Sequence, residues 1–531
     1  MKLATAKIMQ ELDRLTIEEV GVPGIVLMEN AGYGCARILM EFFKEEIAEG
    51  VKIVCGSGNN GGDGFVIGRH LWNQGYDVEF YLLASPDAVS GDAKINLDIA
   101  HNLDMPIVVL DTDEKVEQLY DLIDGAGLIV DAIFGTGLTR EVEGHFAAAI
   151  DAINESDAPV FCVDIPSGIN TDNGKIMGTA VYGSATGTFA MPKVGQWLNP
   201  GKEYCGSLYV IEISIPPNMI EEADIPFNLI TESDIMVQFL PREQESHKGS
   251  YGHVMIVGGS MGFTGAASMA GEAANRAGAG LVSVACPAGL NSIFEMKLTE
   301  VMTIPLQENK QGALHEDACD TILSNAANKS CIAIGPGLGK YNSTHKMLRK
   351  LLPQIEGTIV LDADGLNLIA DDPSVLKQTK AKLVLTPHPG EMSRLCGKPA
   401  KEVIENWLTI PQEFAREHNC IVVLKGSRTV VADPTGNIYL NSTGNAAMAT
   451  GGAGDVLTGI IASYIAQNRS LIDAVLAAVY VHGKSGDMAR LQLGEKGVVA
   501  TDLIEFLPLA QREIESLFAD DLADTDEHHH H

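Results

Sequence analysis

Short apolar runs recur along the chain between longer stretches in which apolar and polar positions alternate at helical spacing. The first series reads VKIVC (51–55), DVEFYLL (77–83), PIVVL (106–110), LIVDAIF (128–134) and APVFCVDI (158–165). Helical stretches between apolar strands predict a parallel α/β sheet. A helical N-terminus precedes it, and Thr16 and Glu19 stand at the spacing of a capping box. Around 216–246 the pattern changes. Pro216, Pro217, Pro226 and Pro241 punctuate an acidic stretch, which predicts a connector with little regular structure. A second series follows: GHVMIVGG (252–259), GLVSVACP (280–287), CIAIGPG (331–337), TIVLDADG (358–365), KLVLTPHPG (382–390) and CIVVLKG (420–426). TVVADPTGNIYL (429–440) predicts a hairpin, and a long apolar helix is expected from Asp455. The expected class is α/β, with domains at 1–217 and 247–517, a connector at 218–246 and an acidic, His-bearing tail at 518–531. No unit of fixed length repeats, which excludes a solenoid.

Composition narrows the function. The 531 residues are 46% apolar and 20% charged, an ordinary globular balance. Acidic residues outnumber basic ones 70 to 37, giving a formal charge of −33. Such a charge argues against nucleic-acid or anionic-membrane partners. An anionic ligand must then be held by backbone N–H groups and helix starts. No apolar run approaches the ~18 residues of a membrane span, and the N-terminus lacks the apolar core of a secretory signal. The nine cysteines are scattered without a C-x-x-C pair, so reduced thiols in a cytoplasmic protein are expected and a thiolate zinc site is not.

The segment GSGNNGGDG, Gly56 to Gly64, follows a strand and opens a helix. Gly56, Gly58 and Gly61 satisfy G-x-G-x-x-G, and Glu79 stands near the tip of the next strand, the arrangement of a dinucleotide-binding Rossmann loop. Asn59, Asn60 and Asp63 make this loop unusually polar, and Asn60 offers a carbonyl oxygen to a hard cation. Two further strand ends carry chemistry: DAIFGTGLTRE (131–141), and VDIPSGI (163–169) with Asp164 and Ser167. In the second half, TGGAGD sets Asp455 at a helix start just after Gly451, Gly452 and Gly454. Backbone N–H groups converge on an anion there, and an aspartate beside it suits a base for a hydroxyl attacking phosphorus. A helix cap or a tight turn is the competing reading at each of these positions, and a turn between Pro387 and Pro389 is the competing reading for His388.

The order LMENAG (27–32), NNGGDG (59–64), DAIFGTG (131–137) and DIPSG (164–168) resembles the NAD(P)H-hydrate epimerase domain, a Rossmann-like three-layer α/β/α fold. The resemblance implies hydrate contacts from Asn59, Asn60, Gly61, Gly62 and Asp63, from Gly135, Thr136, Gly137, Leu138, Thr139, Arg140 and Glu141, and from Asp164. It implies a potassium ion on Asn60, Asp131 and Ser167. Epimerisation needs a carboxyl acid/base; Asp164 is the first choice and Asp63 the second.

The Asp455 turn resembles the ribokinase-like superfamily. HKGSYGHVMIVGGS (247–260), FTGAASMAGEAANRAGAGLVSVA (263–285), GPGLG (335–339), DADGLN (362–367), TPHPGEMSRL (386–395) and KGSRT (425–429) sharpen this to the NAD(P)H-hydrate dehydratase domain. The resemblance implies substrate contacts from Ala266, Gly337, His388, Pro389, Gly390, Glu391, Met392, Ser393 and Arg394, with Asp455 on the hydroxyl. It implies nucleotide contacts from Lys425, Gly426, Ser427, Arg428 and Thr429, and from Asn445, Ala446, Ala447, Met448, Ala449, Thr450, Gly451, Gly452, Ala453 and Gly454. A fused chain of this kind is expected to repair hydrated NADH and NADPH with ADP as co-substrate, K⁺ and Mg²⁺ as ions, and a homo-oligomeric state. The alternatives are a ribokinase-like kinase of a small alcohol fused to a Rossmann-like binding domain, an oxidoreductase built on Gly56–Gly61, and a non-enzymatic role for the N-terminal domain.

Overall fold

The structure, a computed structural model, describes residues 1–467 and 470–527. The terminal His run at 528–531 lies outside those residues. The chain forms two compact units, Lys2–Phe227 and a second from Asn228 onward that also takes in Met1.

In the first unit β1 (Val51–Cys55), β2 (Val78–Leu82), β3 (Ile107–Val109), β4 (Leu128–Ala132), β5 (Val160–Val163), β6 (Ala185–Phe189) and β7 (Ser207–Ile211) form one sheet in the order β3-β2-β1-β4-β5-β6-β7. Every neighbouring pair is parallel. Side chains alternate between faces. Ile53, Phe80, Val130 and Phe161 join one buried layer, and Val54, Tyr81, Ile129 and Cys162 the other. Parallel pairing brings all strand carboxyl ends to one edge, and the order reverses between β1 and β4, which is the position of the ligand crevice in open sheets of this kind.

β6 and β7 were not expected, because ATGTF does not read as an apolar run. Its threonines are buried by satisfying their hydroxyls: Thr186 Oγ1 donates to the Cys205 carbonyl at 2.7 Å. A Cβ on Gly187 would lie 2.8 Å from the Phe161 ring. The Thr16–Glu19 capping box does not form. The first helix, Ala6–Leu15, starts earlier with Thr5 as its cap, and the Thr16 hydroxyl donates back to Leu12. Glu79 also departs from the fingerprint. It pairs with Lys52 near the amino end of β2 and accepts from Tyr81, away from the glycine loop.

The second unit holds β8 (Phe227–Ile230), β9 (His253–Val257), β10 (Leu281–Pro287), β11 (Met302–Leu306), β12 (Cys331–Ile334), β13 (Thr358–Leu361), β14 (Lys382–Leu385), β15 (Ile421–Leu424), β16 (Val430–Ala432) and β17 (Ile438–Asn441). Their order is β11-β10-β9-β12-β13-β14-β15-β16-β17-β8. Pairing is parallel from β11 to β15 and antiparallel through the hairpin to β17. The stretch expected as a connector, 218–246, is divided between the units. It contains β8, with short helices at Pro217–Glu222 and Glu232–Ile235. Asn228 anchors β8 by donating to the Ile438 carbonyl at 3.3 Å. β11 was hidden by Pro305, which an edge strand tolerates. The last helix, Ala500–Glu527, runs past the expected domain end at 517.

The helix Ala453–Ala466 packs so closely on Thr264–Arg276 that a Cβ on Gly459 would sit 2.2 Å from the Ala270 carbonyl. Small residues on both helices set this spacing, which fixes the amino end of Ala453–Ala466 over the strand ends.

Candidate active sites

In the first unit the crevice is built where the chain leaves β1, β4, β5 and β6. The NNGGDG motif is not a loop: Asn59–Asn73 is one helix and the motif forms its first turns. Gly61 is required there, since a Cβ would lie 2.0 Å from the Gly56 carbonyl oxygen. This close approach turns Asn60 and Asp63 inward, and both are buried.

Asp131, Ser167, Asn60 and Gly135 come together. Asp131 is fully buried and accepts from the Ser167 amide at 2.8 Å and the Ser167 hydroxyl at 2.6 Å. Ser167 Oγ in turn accepts from the Phe134 amide at 2.8 Å. Asn60 Oδ1 lies 3.0 Å from where a Gly135 Cβ would stand, and its Nδ2 is buried without a partner. Burial pushes Asp131 up to about 6, with the Ser167 and Ile133 bonds opposing. Among the described residues no Lys or Arg is paired with it. A buried carboxylate compensated only by neutral donors, beside a carboxamide and a hydroxyl oxygen, is a donor set that suits a monovalent cation. Thr136 is tied to Thr171, whose hydroxyl donates to its carbonyl at 3.3 Å. Leu138 is half-buried, while Asn59, Gly137, Thr139, Arg140 and Glu141 lie exposed along the rim.

Asp164 occupies a left-handed backbone conformation, φ 65°, directly after β5. Its Oδ1 accepts from Lys193 Nζ at 2.5 Å and from the Phe189 amide at 3.1 Å. Lys193, which the sequence reading missed, is fully buried and also donates to Thr188 Oγ1 and the Phe189 carbonyl, both at 2.9 Å. Burial pushes the Asp63 carboxyl well above the usual range, and the charges of Asp164 and Asp13 add to this.

In the second unit Gly337, Asp362, His388 and Lys425 follow the carboxyl ends of β12, β13, β14 and β15, and the helix start at Gly454 comes against Lys425. Asp455 stands in the first turn of Ala453–Ala466, behind Gly452 at φ 100°. Burial raises Asp455 to about 7, Asp362 adds to the rise, and Lys425 opposes it. Lys425 Nζ donates to Asp362 Oδ1 at 2.6 Å and lies 3.1 Å from where a Gly454 Cβ would stand. The second oxygen of Asp362 accepts from Thr458 Oγ1 at 2.7 Å. Burial alone would lower the Lys425 ammonium; Asp362 and Glu391 outweigh it and hold it above its ordinary value.

His388 is the cap of the helix Pro389–Cys396: its Nδ1 accepts from the Gly390 amide at 3.0 Å, and Glu391 returns a bond to the His388 amide at 2.9 Å. Burial raises Glu391 to about 7. Met392 is buried in the same turn, and the Ser393 hydroxyl donates to the Lys398 carbonyl. Arg394 reaches Asn367 Oδ1 at 2.8 Å, and Asp364 accepts from the Gly339 amide at 2.9 Å. Gly337 faces Ala266, 3.3 Å from a would-be Cβ. The 445–454 stretch is anchored to the helix Leu471–Leu493 by Asn445, which donates to Asp487 at 2.7 Å, and by Met448 packed on Gly486. Trp407 lies against Gly426 and donates to the Arg428 carbonyl at 2.9 Å. Neither Trp407 nor Asp362 was expected in the site; the quoted run DADGLN was the signal for Asp362.

Two family models match the chain: one described as NAD(P)H-hydrate dehydratase over residues 254–509 and one described as YjeF-related protein N-terminus over 24–195. The bifunctional NAD(P)H-hydrate repair enzyme Nnr of Moorella thermoacetica is 43% identical over 97% of either chain. Its counterpart from Thermofilum pendens is 37% identical over 98% of either chain. Among solved structures, the ADP/ATP-dependent NAD(P)H-hydrate dehydratase from Bacillus subtilis, co-crystallized with ATP/Mg²⁺, is 30% identical with a TM-score of 0.47, covering 54% of this chain and 98% of that one.

Proposed function

The chain belongs to the bifunctional NAD(P)H-hydrate repair enzymes, and from that premise we propose how its two crevices divide the chemistry. The first interconverts the R and S epimers of hydrated NADH or NADPH; the second dehydrates the S epimer at the expense of ADP, releasing AMP and phosphate. The observation that carries this reading is a separate set of buried, lysine-paired carboxylates at the strand ends of each unit, in a chain related over 97% of its length to such an enzyme.

In the hydrate a hydroxyl sits on the ring carbon beside the ring nitrogen. For epimerisation, the protonated Asp63 donates to that hydroxyl while the nitrogen lone pair expels it as water. Asp164, oriented by Lys193, stabilises the iminium charge. Water returns to the opposite face and yields its proton to Asp164, and exchange with solvent resets the pair. Asn60, Asp131 and Ser167 would hold K⁺, which supplies a fixed positive charge at the crevice.

For dehydration, Asp455 removes the proton from the substrate hydroxyl as its oxygen attacks the terminal phosphorus of ADP and AMP departs. The ring nitrogen then expels phosphate, a better leaving group than hydroxide, and loss of the neighbouring ring proton restores the dihydropyridine. Lys425 and the amides before Asp455 face the phosphoryl charge. Among the described residues no three His, Cys, Asp or Glu side chains are grouped to hold a metal. Mg²⁺ would accompany the nucleotide as a counter-ion to its phosphates and would neutralise charge on the transferring phosphoryl group. The nine unpaired cysteines suit a reducing compartment, in keeping with a cytoplasmic protein.

The test is recovery of reduced-nicotinamide absorbance from mixed-epimer hydrate with ADP or ATP. The parent should recover both epimers, and Asp164→Asn should stop after the S fraction. Recovery of both at the parental rate by Asp164→Asn would remove Asp164 from the reaction, and a stable phosphorylated product would identify a kinase instead.

A further inference from the structure

The first sheet ends at β7, and the outer edge of that strand is unguarded. The Ser207 amide donates to the Ser184 carbonyl at 3.0 Å, and the Ala190 amide donates to the Ile211 carbonyl at 2.8 Å. Bonds to β6 therefore come from Ser207, Tyr209 and Ile211, and Leu208 and Val210 turn their backbone N–H and C=O groups outward. Sheet edges are usually blunted by a lysine, a proline or a bulge. SLYVI has no charge and no proline, and its register with β6 is unbroken. The flank is apolar as well. The helix Gly24–Phe42 packs on β7 in the opposite direction: a Cβ on Gly34 would lie 2.3 Å from Ile211, and Phe42 stacks on Tyr209 with ring centroids 5.4 Å apart. Phe42 is 56% exposed, Val210 47% and Tyr33 46%. Tyr33, Arg37, Glu41 and Val210 line a groove of about 820 Å³ there. Arg37 and Glu41 are both exposed, and among the described residues neither has an ion-pair partner.

We propose that a second copy of this chain docks on this edge about a two-fold axis at Tyr209, joining the two β7 strands antiparallel into one continuous sheet. With that axis Leu208 faces the partner's Val210, and the two exchange both outward backbone bonds; the symmetry supplies the same pair twice. The helix heights decide the charges. Gly34 stands level with Ile211, about 7 Å along the strand from Tyr209. Three residues on, Arg37 lies about 2 Å above the axis, and Glu41 about 4 Å below it. The two-fold inverts these heights, so the partner's Glu41 comes within about 2 Å of the level of Arg37. Backbone pairing alone would accept any strand; opposite charges at matched heights select a second copy. Phe42 and Val210 lose their exposure in the same step.

The experiment measures the mass of the full-length protein by light scattering over a dilution series. The parent should associate into an even number of chains. Val210→Pro removes an outward N–H and leaves every bond to β6 in place, so it should halve the mass. Arg37→Glu should halve it too, and adding Glu41→Arg to Arg37→Glu should restore it. Circular dichroism should stay parental throughout; if Val210→Pro does not fold, the charge exchange decides. A monomeric parent overturns the proposal. So does an oligomer that neither Val210→Pro nor Arg37→Glu reduces, because it is built on another face. A charge-exchanged variant that stays dissociated overturns the two-fold pairing.

Discussion

Replacing Asp455 by Asn should abolish dehydration and at the same time stabilise the second unit at alkaline pH. In the fold, burial first and the Asp362 charge second raise this carboxyl from the ordinary 3.8 to about 7. Ionising it therefore costs more in the folded state than in the unfolded one. That cost is absent below pH 4, grows between the two values and is complete above pH 7. At about 1.4 kcal/mol per unit, a rise of about three units sets an upper bound of about 4 kcal/mol. Asp455 still touches solvent, and screening reduces the figure to about 2–3 kcal/mol. Asn keeps the shape and cannot ionise, so the variant escapes the cost. Unfolding of the full-length protein, followed at pH 8, 6 and 4.5, should show a gain of several degrees at pH 8. The gain should shrink steadily towards pH 4.5. A variant no more stable than the parent at pH 8, or a gain independent of pH, would refute the argument that Asp455 is an ionised base held at an energetic cost. Retained dehydration would refute its role as base.

Lys193→Met should destabilise the first unit by about 3–5 kcal/mol and suppress epimerisation, because it leaves Asp164 without the cation that donates to it; unfolding of the variant measures this, and unaltered stability would show that the pair is dispensable. Asp362→Asn removes the like charge beside Asp455 and frees Lys425, so both changes lower the Asp455 value; the acidic limb of the dehydration profile should move to lower pH, and a move upward would contradict the assignment. Gly61→Ala places a methyl 2.0 Å from the Gly56 carbonyl, so it should cost about 1–3 kcal/mol and turn Asn60 and Asp63 out of register, read as lost stability together with lost epimerisation.

What local pattern encodes, the sequence determined. The apolar runs marked β1 to β5 and most of the second sheet, because strands buried on both faces must be apolar throughout. It placed Asp455 at a helix start, since a glycine-rich turn before an apolar helical repeat has few other conformations. What depends on distant partners it left open. β6 and β8 escaped because ATGTF and FNLI become strands only where Thr hydroxyls and Asn228 find acceptors elsewhere. Lys193 and Asp362 look like ordinary charged residues in a charged chain. The tertiary structure decided their roles by closing Lys193 on Asp164 across 29 positions and Asp362 on Lys425 and Thr458 across 63 and 96. Whether a charge is a solvated ornament or part of a site is set by the water it loses and the partner it meets, and neither is a property of its neighbours in the sequence.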